Sequence, residues 1–155
     1  MSSETRERVR LHYSGNARAY DMSREQDERG SMLSEHDIAL FQDLLPAFRS
    51  GQRILEVGAG TGRFTIPALR AGYSTISTDV NRGMLARLEE KLHHIGQTSA
   101  CAVQTADVFH LPFEGGTFDG VFGIHLIPRF TTASDQLHAF LEIGRVLRPG
   151  GFVPW

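Results

Sequence analysis

Residues 54–63, ILEVGAGTGR, place a short apolar run directly before three glycines at alternate positions. The apolar run predicts a buried strand, and residues 61–71 predict a helix that Gly72 ends. Glycines permit a sharp turn and a close approach of other groups to the backbone, and a helix start offers unpaired N–H groups. A strand, a glycine turn and a helix in this order are typical of a nucleotide-like binding loop, so this stretch constrains the fold most.

The bulk properties of the chain exclude several classes of protein. A chain of 155 residues buries enough surface to fold as one domain without disulfides or metals. Its formal net charge of −2 argues against binding to nucleic acid or to a membrane surface, because such proteins are usually basic. With one cysteine, Cys101, no apolar signal core and no run long enough to span a membrane, the chain is expected to be cytoplasmic.

The first thirty residues differ in composition from the rest. Residues 1–30 are rich in charged and polar side chains and contain Tyr20. They are either a solvated lead-in or a lid that folds over a ligand, and residues 31–155 form the predicted domain. Within that domain, apolar residues at three- and four-residue steps predict an amphipathic helix over residues 32–48.

Strand and helix patterns then alternate to the end of the chain. Strands are predicted over residues 53–57, 73–78, 100–105 and 118–124, and helices over residues 82–95, capped by Asn81, and 134–147. Residues 148–151, RPGG, predict a hard turn before a fifth strand. This alternation predicts an α/β fold, a Rossmann-like three-layer sandwich with a mainly parallel sheet and helices on both faces. A ligand of such a fold binds at the carboxyl ends of the strands.

Acidic residues mark these strand ends. Glu56 precedes the glycine loop, and Asp79 and Asp107 follow the second and third strands. The glycine spacing is one residue shorter than the dinucleotide fingerprint, and acids disfavour a pyrophosphate. A ligand with ammonium and sulfonium charge is favoured instead. The Asp107 carboxylate and the Val108 N–H could together bind an adenine edge.

Four motifs in order carry a resemblance to a known family. They are LEVGAGTG at residues 55–62, TDV at 78–80, AD at 106–107 followed by LPF at 111–113, and RVLRPGG at 145–151. Over about residues 13–152 the chain resembles the class I S-adenosylmethionine-dependent methyltransferases, within them the small-molecule branch that includes ubiquinone-biosynthesis-type enzymes. The resemblance implies methyl transfer from S-adenosylmethionine to a small-molecule acceptor.

The resemblance also implies a role for each motif residue. Glu56 and the glycine-loop backbone would hold the methionine part of the cofactor, Asp79 the ribose hydroxyls, and Asp107 the adenine amine. Tyr20 would close over the cofactor. The residues expected to bind the cofactor are Tyr20, Glu56, Gly58, Ala59, Gly60, Gly62, Asp79, Val80, Met84, Asp107 and Val108. Histidines and acids show no metal-ligand spacing, so no metal is expected.

His125 is the candidate substrate-facing residue. It follows the fourth strand, where the family places residues toward the acceptor, although it could instead be a strand-end core residue. Related sequences often carry a second histidine three residues later, where this chain has Pro128. The implied mechanism is direct displacement, in which a general base is needed only for some acceptors. The sequence alone identifies no catalytic residue.

Three functions remain open at this point. They are a small-molecule methyltransferase, a non-catalytic S-adenosylmethionine-binding module or truncated remnant, and an NAD-dependent oxidoreductase. The sequence printed here stops just after the fifth strand begins, so the C-terminal strands of the full fold are expected to be missing. Such a sheet would present an apolar edge open to self-association.

Overall fold

The computed structural model describes residues 17–26 and 28–154, so residues 1–16 of the predicted lead-in lie outside the described residues. Helices α1 (Ala17–Gln26) and α2 (Glu28–Leu44) precede the sheet, and a 3₁₀ turn (Leu45–Ala47) follows α2. The remaining elements are β1 (Ile54–Val57), α3 (Thr65–Arg70), β2 (Thr75–Asp79), α4 (Arg82–His94), β3 (Cys101–Thr105), β4 (Phe118–Phe122), a 3₁₀ turn (Ile127–Arg129), α5 (Ala133–Val146) and β5 (Leu147–Phe152).

The five strands form one sheet in the order β3-β2-β1-β4-β5, and all neighbours are parallel. The chain moves outward from β1 to β3 on one side, then returns to place β4 on the other side of β1. The strand order therefore reverses between β1 and β4, which is where ligands bind in open α/β sheets. The predicted parallel α/β architecture is confirmed.

Helices cover both faces of the sheet, as predicted. Successive strand side chains point to opposite faces, and β1 separates two core clusters in this way. Ile54 packs with Phe41 and Phe64, from α2 and the start of α3, on one face. Leu55 and Val57 pack with α5 residues on the other face.

Several element boundaries differ from those predicted. The helix predicted over residues 32–48 begins at Glu28 and ends at Leu44, so it crosses the predicted boundary at residues 30–31. Pro46, which lacks an N–H, lies in the 3₁₀ turn that follows. The helix predicted from residue 61 begins at Thr65, because Gly62 has a φ of 90° and cannot belong to a right-handed helix.

The predicted RPGG turn lies inside β5. Phe118 pairs with Leu147 and Gly120 pairs with Phe152, so the residues of β5 between these two pairs bulge out of the regular strand pairing. Gly150, with a φ of 78°, supplies the turn within this bulge. The turn was placed correctly, but the strand begins before it, directly at the end of α5.

Within the described residues, β5 pairs only with β4 and forms an edge of the sheet. Phe152 on this edge is exposed, as are Leu137 and Leu141 on α5. Self-association through the edge stays a prediction. None of the helices described is both long and apolar enough to cross a membrane.

Candidate functional site

A cavity of about 900 Å³ opens at the carboxyl ends of β1, β2, β3 and β4. Every residue predicted to bind the cofactor except Glu56 lines this cavity, and so does His125. The predicted residues that line it are Tyr20, Gly58, Ala59, Gly60, Gly62, Asp79, Val80, Met84, Asp107, Val108 and His125.

The glycine loop wraps around the end of β2. The N–H groups of Gly58 and Ala59 donate to the Thr78 carbonyl oxygen, at 2.8 and 2.9 Å. Gly58, Gly60 and Gly62 have φ values of 75°, 56° and 90°, in a region that side chains disfavour. The loop therefore presents its backbone to the cavity and stays tied to the neighbouring strand.

Two glycines of this loop give a matched stability test. A Cβ at Gly62 would lie 2.4 Å from Cδ1 of Leu88, which is fully buried, whereas a Cβ at Gly60 meets nothing within 4 Å. Both alanine variants strain a positive φ, but only Gly62→Ala also overpacks the core. We expect Gly62→Ala to lower the free energy of unfolding by about 2 kcal/mol more than Gly60→Ala. Urea denaturation measures both, and equal losses would contradict the packing argument.

Asp79 connects the glycine loop to the start of α4. Its Oδ2 accepts a hydrogen bond from Gly60 N–H at 2.9 Å, and its Oδ1 accepts one from Asn81 N–H at 2.8 Å. Asn81 in turn caps α4, as predicted, by accepting from the N–H groups of Gly83 and Met84. Burial raises the pKa of Asp79 although these backbone groups favour the charged form. The carboxylate is thus fixed in orientation at the cavity.

Asp107 begins a turn at the end of β3. One of its carboxylate oxygens accepts a hydrogen bond from Phe109 N–H at 3.0 Å. The Phe109 ring packs against the Phe130 ring, with centroids 4.8 Å apart, and both residues line the cavity. This end of the cavity therefore combines a carboxylate with an aromatic wall.

An ion-pair cluster holds α1 across the glycine loop. Asp21 accepts hydrogen bonds from Thr61 Oγ1 at 2.6 Å, Lys91 Nζ at 2.8 Å and Arg87 Nε at 3.1 Å. Burial opposes ionisation here, but the hydrogen bonds from Lys91 and Thr61 hold the pKa of Asp21 below its usual value. Tyr20, the neighbouring residue, is thereby placed at the cavity. Asp21 and Lys91 were not predicted, because their contact depends on how two separate helices pack.

Glu56 does not join the other predicted residues. It is 2% exposed, and its Oε2 accepts hydrogen bonds from Thr65 Oγ1 at 2.5 Å and Ser77 Oγ at 2.7 Å. Burial raises the pKa of Glu56 to about 7. Glu56 shares the sheet face of Ile54, which α2 and α3 cover, so its side chain points beneath α3 instead of toward the strand ends. A direct contact with a ligand would require it to leave both hydroxyls.

A second unpredicted cluster lies beside His125. Asp37 Oδ2, from α2, accepts hydrogen bonds from Arg63 Nη2 at 2.6 Å and from His125 Nε2 at 2.9 Å. Arg63 follows the glycine loop directly, which is a sequence signal that could have identified it. Nothing in the local sequence around Asp37 indicates its role, because α2 brings it to the site only in the folded chain.

Comparison with known proteins adds relatives that share this part of the chain. Residues 54–151 match the model of a family described as a methyltransferase domain. An uncharacterized protein of Mycobacterium tuberculosis is 35% identical over 106 residues, which are 66% of this chain and 36% of that protein. The ubiquinone/menaquinone biosynthesis C-methyltransferase of Haemophilus ducreyi is 33% identical over 109 residues, 66% of this chain and 40% of that enzyme. The chain thus spans less than half the length of these relatives.

A solved structure matches nearly the whole chain in fold. It is the phosphoethanolamine N-methyltransferase 1 of Haemonchus contortus, in complex with phosphoethanolamine and S-adenosylhomocysteine. It superposes with a TM-score of 0.71 at 22% identity and covers 99% of this chain and 32% of its own. Such a likeness establishes the fold alone. Since the family model covers more than half of the chain, this protein belongs to the methyltransferase domain family.

Proposed function

We propose that this chain binds S-adenosylmethionine at the strand ends and transfers its methyl group to a small-molecule acceptor. The observation that carries the proposal is the position of Asp79. Its carboxylate, at the carboxyl end of β2, is fixed by Gly60 N–H and Asn81 N–H beside an open glycine loop. Each carboxylate oxygen keeps a second lone pair, so Asp79 can still accept hydrogen bonds from two vicinal hydroxyls of a ribose.

The remaining residues of the cavity fit the other parts of the same ligand. Asp107 and the Val108 N–H are offered to the adenine edge, and Val80 and Met84 to its faces. Tyr20 on α1 covers the opposite side. The cavity volume of about 900 Å³ accommodates a nucleoside with an amino-acid tail and leaves space for an acceptor.

Arg63, Arg70 and Arg129 also line the cavity, and its acids are concentrated where the proposed cofactor would bind. Three acids, Asp21, Asp79 and Asp107, line the half of the cavity formed by the glycine loop, α1 and the ends of β2 and β3. Lys91 also lines it, but its ammonium pairs with Asp21. A pyrophosphate would be repelled there, which disfavours the oxidoreductase alternative. The bound S-adenosylhomocysteine of the Haemonchus contortus enzyme and the name of the Haemophilus ducreyi enzyme support the same ligand class.

In this mechanism the protein positions the reactants and excludes water. S-adenosylmethionine, when bound, supplies an activated methyl group on a sulfonium. The chain contributes an apolar wall of Phe64, Ile124, Leu126 and Phe130 on the acceptor side of the cavity. Proximity and a dry site account for most of the expected rate enhancement.

We also propose a cytoplasmic location, with which the free thiol of Cys101 agrees.

Isothermal titration calorimetry tests the proposed ligand. We expect S-adenosylmethionine and S-adenosylhomocysteine to bind with a Kd below about 100 μM, and NAD to show no heat of binding at the same concentrations. The two adenosine ligands share every contact proposed here, so they should differ by less than about tenfold in Kd. Binding of NAD alone would overturn the proposal and favour an oxidoreductase.

A further inference from the structure

His125 and Asp37 form a hydrogen-bonded pair at the wall of the cavity. Nε2 of His125 lies 2.9 Å from Oδ2 of Asp37. An ionised carboxylate only accepts hydrogen bonds, so the neutral ring must carry its proton on Nε2. Nδ1 is then the unprotonated nitrogen. Among the side chains that the structure describes, none forms a hydrogen bond with Nδ1, and His125 lines the cavity.

The Asp37 carboxylate is held in its charged form. It accepts from Arg63 as well as from His125, and both donors come from elements other than α2. Burial opposes ionisation, but these two hydrogen bonds keep the pKa of Asp37 below its usual value. The charged groups closest to the imidazole are Asp37 on α2 and Arg63 after the glycine loop, and Arg129 lines the same cavity. The contact with Asp37 thus sets the proton on Nε2.

The backbone at His125 is strained. Among the described residues, His125 is the only non-glycine residue with a positive φ, which is 61°. Residues with a Cβ disfavour this conformation, which glycine adopts readily. The Asp37 hydrogen bond and the Phe64 ring, whose centroid lies 6.2 Å from that of His125, hold the imidazole in place. Strain of this kind concentrates at functional positions.

We propose that His125 is the general base of methyl transfer and that Asp37 is the residue that positions it, an inference that rests on the proposed function. Nδ1 takes the proton from the nucleophilic atom of the acceptor. The electron pair of that atom forms the bond to the methyl carbon, the carbon–sulfur bond breaks, and its electron pair remains on sulfur. The imidazolium then releases the proton to solvent, since the His125 side chain is 48% exposed.

This assignment narrows the acceptor class. A base is useful only when the nucleophilic atom carries a proton that must be removed, as in a hydroxyl group or an acidic carbon. An aromatic tertiary amine, whose lone pair is free at neutral pH, gains nothing from it. The structure therefore favours an acceptor with an O–H or an activated C–H over an unprotonated, fully substituted amine.

Nitrogen NMR of the imidazoles tests the pair without any acceptor. We expect the neutral ring of His125, assigned with a His125→Asn variant, to carry its proton on Nε2. In Asp37→Asn the preference for this tautomer should be lost. Asp43→Asn, at an exposed position on the same helix, should leave the tautomer unchanged. A proton on Nδ1 in the unmodified protein, or an unchanged tautomer preference in Asp37→Asn, would overturn the proposal.

Methyl transfer to two probes tests the base role itself. The probes are catechol, whose O–H groups stay protonated near neutral pH, and N,N-dimethylaniline, a tertiary amine whose lone pair is free at that pH, and product S-adenosylhomocysteine is measured. We expect His125→Asn to lower kcat for catechol at least 100-fold, with little change in KM. Asparagine tolerates a positive φ, so this variant is expected to fold. His94→Gln, exposed on α4, should keep the full rate.

The outcomes separate this inference from the proposed function. An unchanged rate in His125→Asn, or transfer to the amine probe alone, overturns the base role while the enzyme assignment stands. If neither probe is methylated, the tautomer measured by NMR decides. Failure of the unmodified protein to bind S-adenosylmethionine in calorimetry refutes the proposed function instead, whatever the state of His125.

Discussion

An Asp79→Ala variant is expected to bind S-adenosylmethionine and S-adenosylhomocysteine at least about 100-fold more weakly than the unmodified protein. The substitution removes two hydrogen bonds from ribose hydroxyls to a carboxylate, each contributing about 1.5 kcal/mol or more. It also leaves Gly60 N–H and Asn81 N–H without their acceptor, so the link that Asp79 makes between the glycine loop and the start of α4 is lost. Calorimetry measures the loss, and circular dichroism verifies that the variant is folded.

Two further variants identify which part of this loss comes from the ligand contact. Asp79→Asn keeps one acceptor oxygen for a backbone N–H but cannot accept from two hydroxyls, so we expect an intermediate affinity. Asp43→Ala, at an exposed position of α2, should bind as the unmodified protein does. A folded Asp79→Ala protein with unchanged affinity would refute the assignment of Asp79 to the ribose.

Local patterns were sufficient to predict the parts of the site that lie directly after strands. A parallel sheet brings its carboxyl strand ends to one edge, so the order of strands and turns is enough to place Asp79 and Asp107 together. The glycine loop is equally local, because alternate glycines after a buried strand indicate backbone turns. The same reasoning placed His125 at the cavity, as the residue after the fourth strand.

The contacts made by helices could not be predicted in this way. Asp21 and Asp37 reach the site because α1 and α2 cross over it, and no spacing within either helix encodes that crossing. The bulge in β5 was missed for a related reason, since proline and glycines usually end a strand and here lie inside one. The burial of Glu56 was missed because its position next to the glycine loop suggested a ligand contact, whereas strand alternation turns its side chain toward the face that α2 and α3 cover.

The buried environment of Glu56 is expected to make the stability of the protein depend strongly on pH. Burial raises its pKa in the folded protein to about 7, from an ordinary value of 4.5. Below pH 4.5 the carboxyl group is protonated in both folded and unfolded chains, so its raised pKa does not change the free energy of unfolding. As the pH rises toward 7 the unfolded chain loses the proton first, and the folded state loses stability. Above pH 7 both states are ionised and the loss is complete.

A Glu56→Gln variant isolates this contribution because its amide does not titrate. Its oxygen has two lone pairs and can still accept from the Thr65 and Ser77 hydroxyls. Between pH 4.5 and 8 the unmodified protein should lose about 3 kcal/mol of unfolding free energy relative to Glu56→Gln. Contributions from histidines cancel in this difference. Urea denaturation across the range measures it, with exposed Glu114→Gln as the control, whose profile should run parallel to that of the unmodified protein.

The same variant distinguishes a structural role of Glu56 from a ligand contact. Since the carboxyl group lies beneath α3 and does not line the cavity, we expect Glu56→Gln to change the Kd for S-adenosylhomocysteine by less than about tenfold. A larger loss would mean that the side chain turns toward the methionine part when the ligand binds. Parallel pH profiles of Glu56→Gln and the unmodified protein would show that this carboxyl group ionises normally, and hence that the pocket between Thr65 and Ser77 admits water.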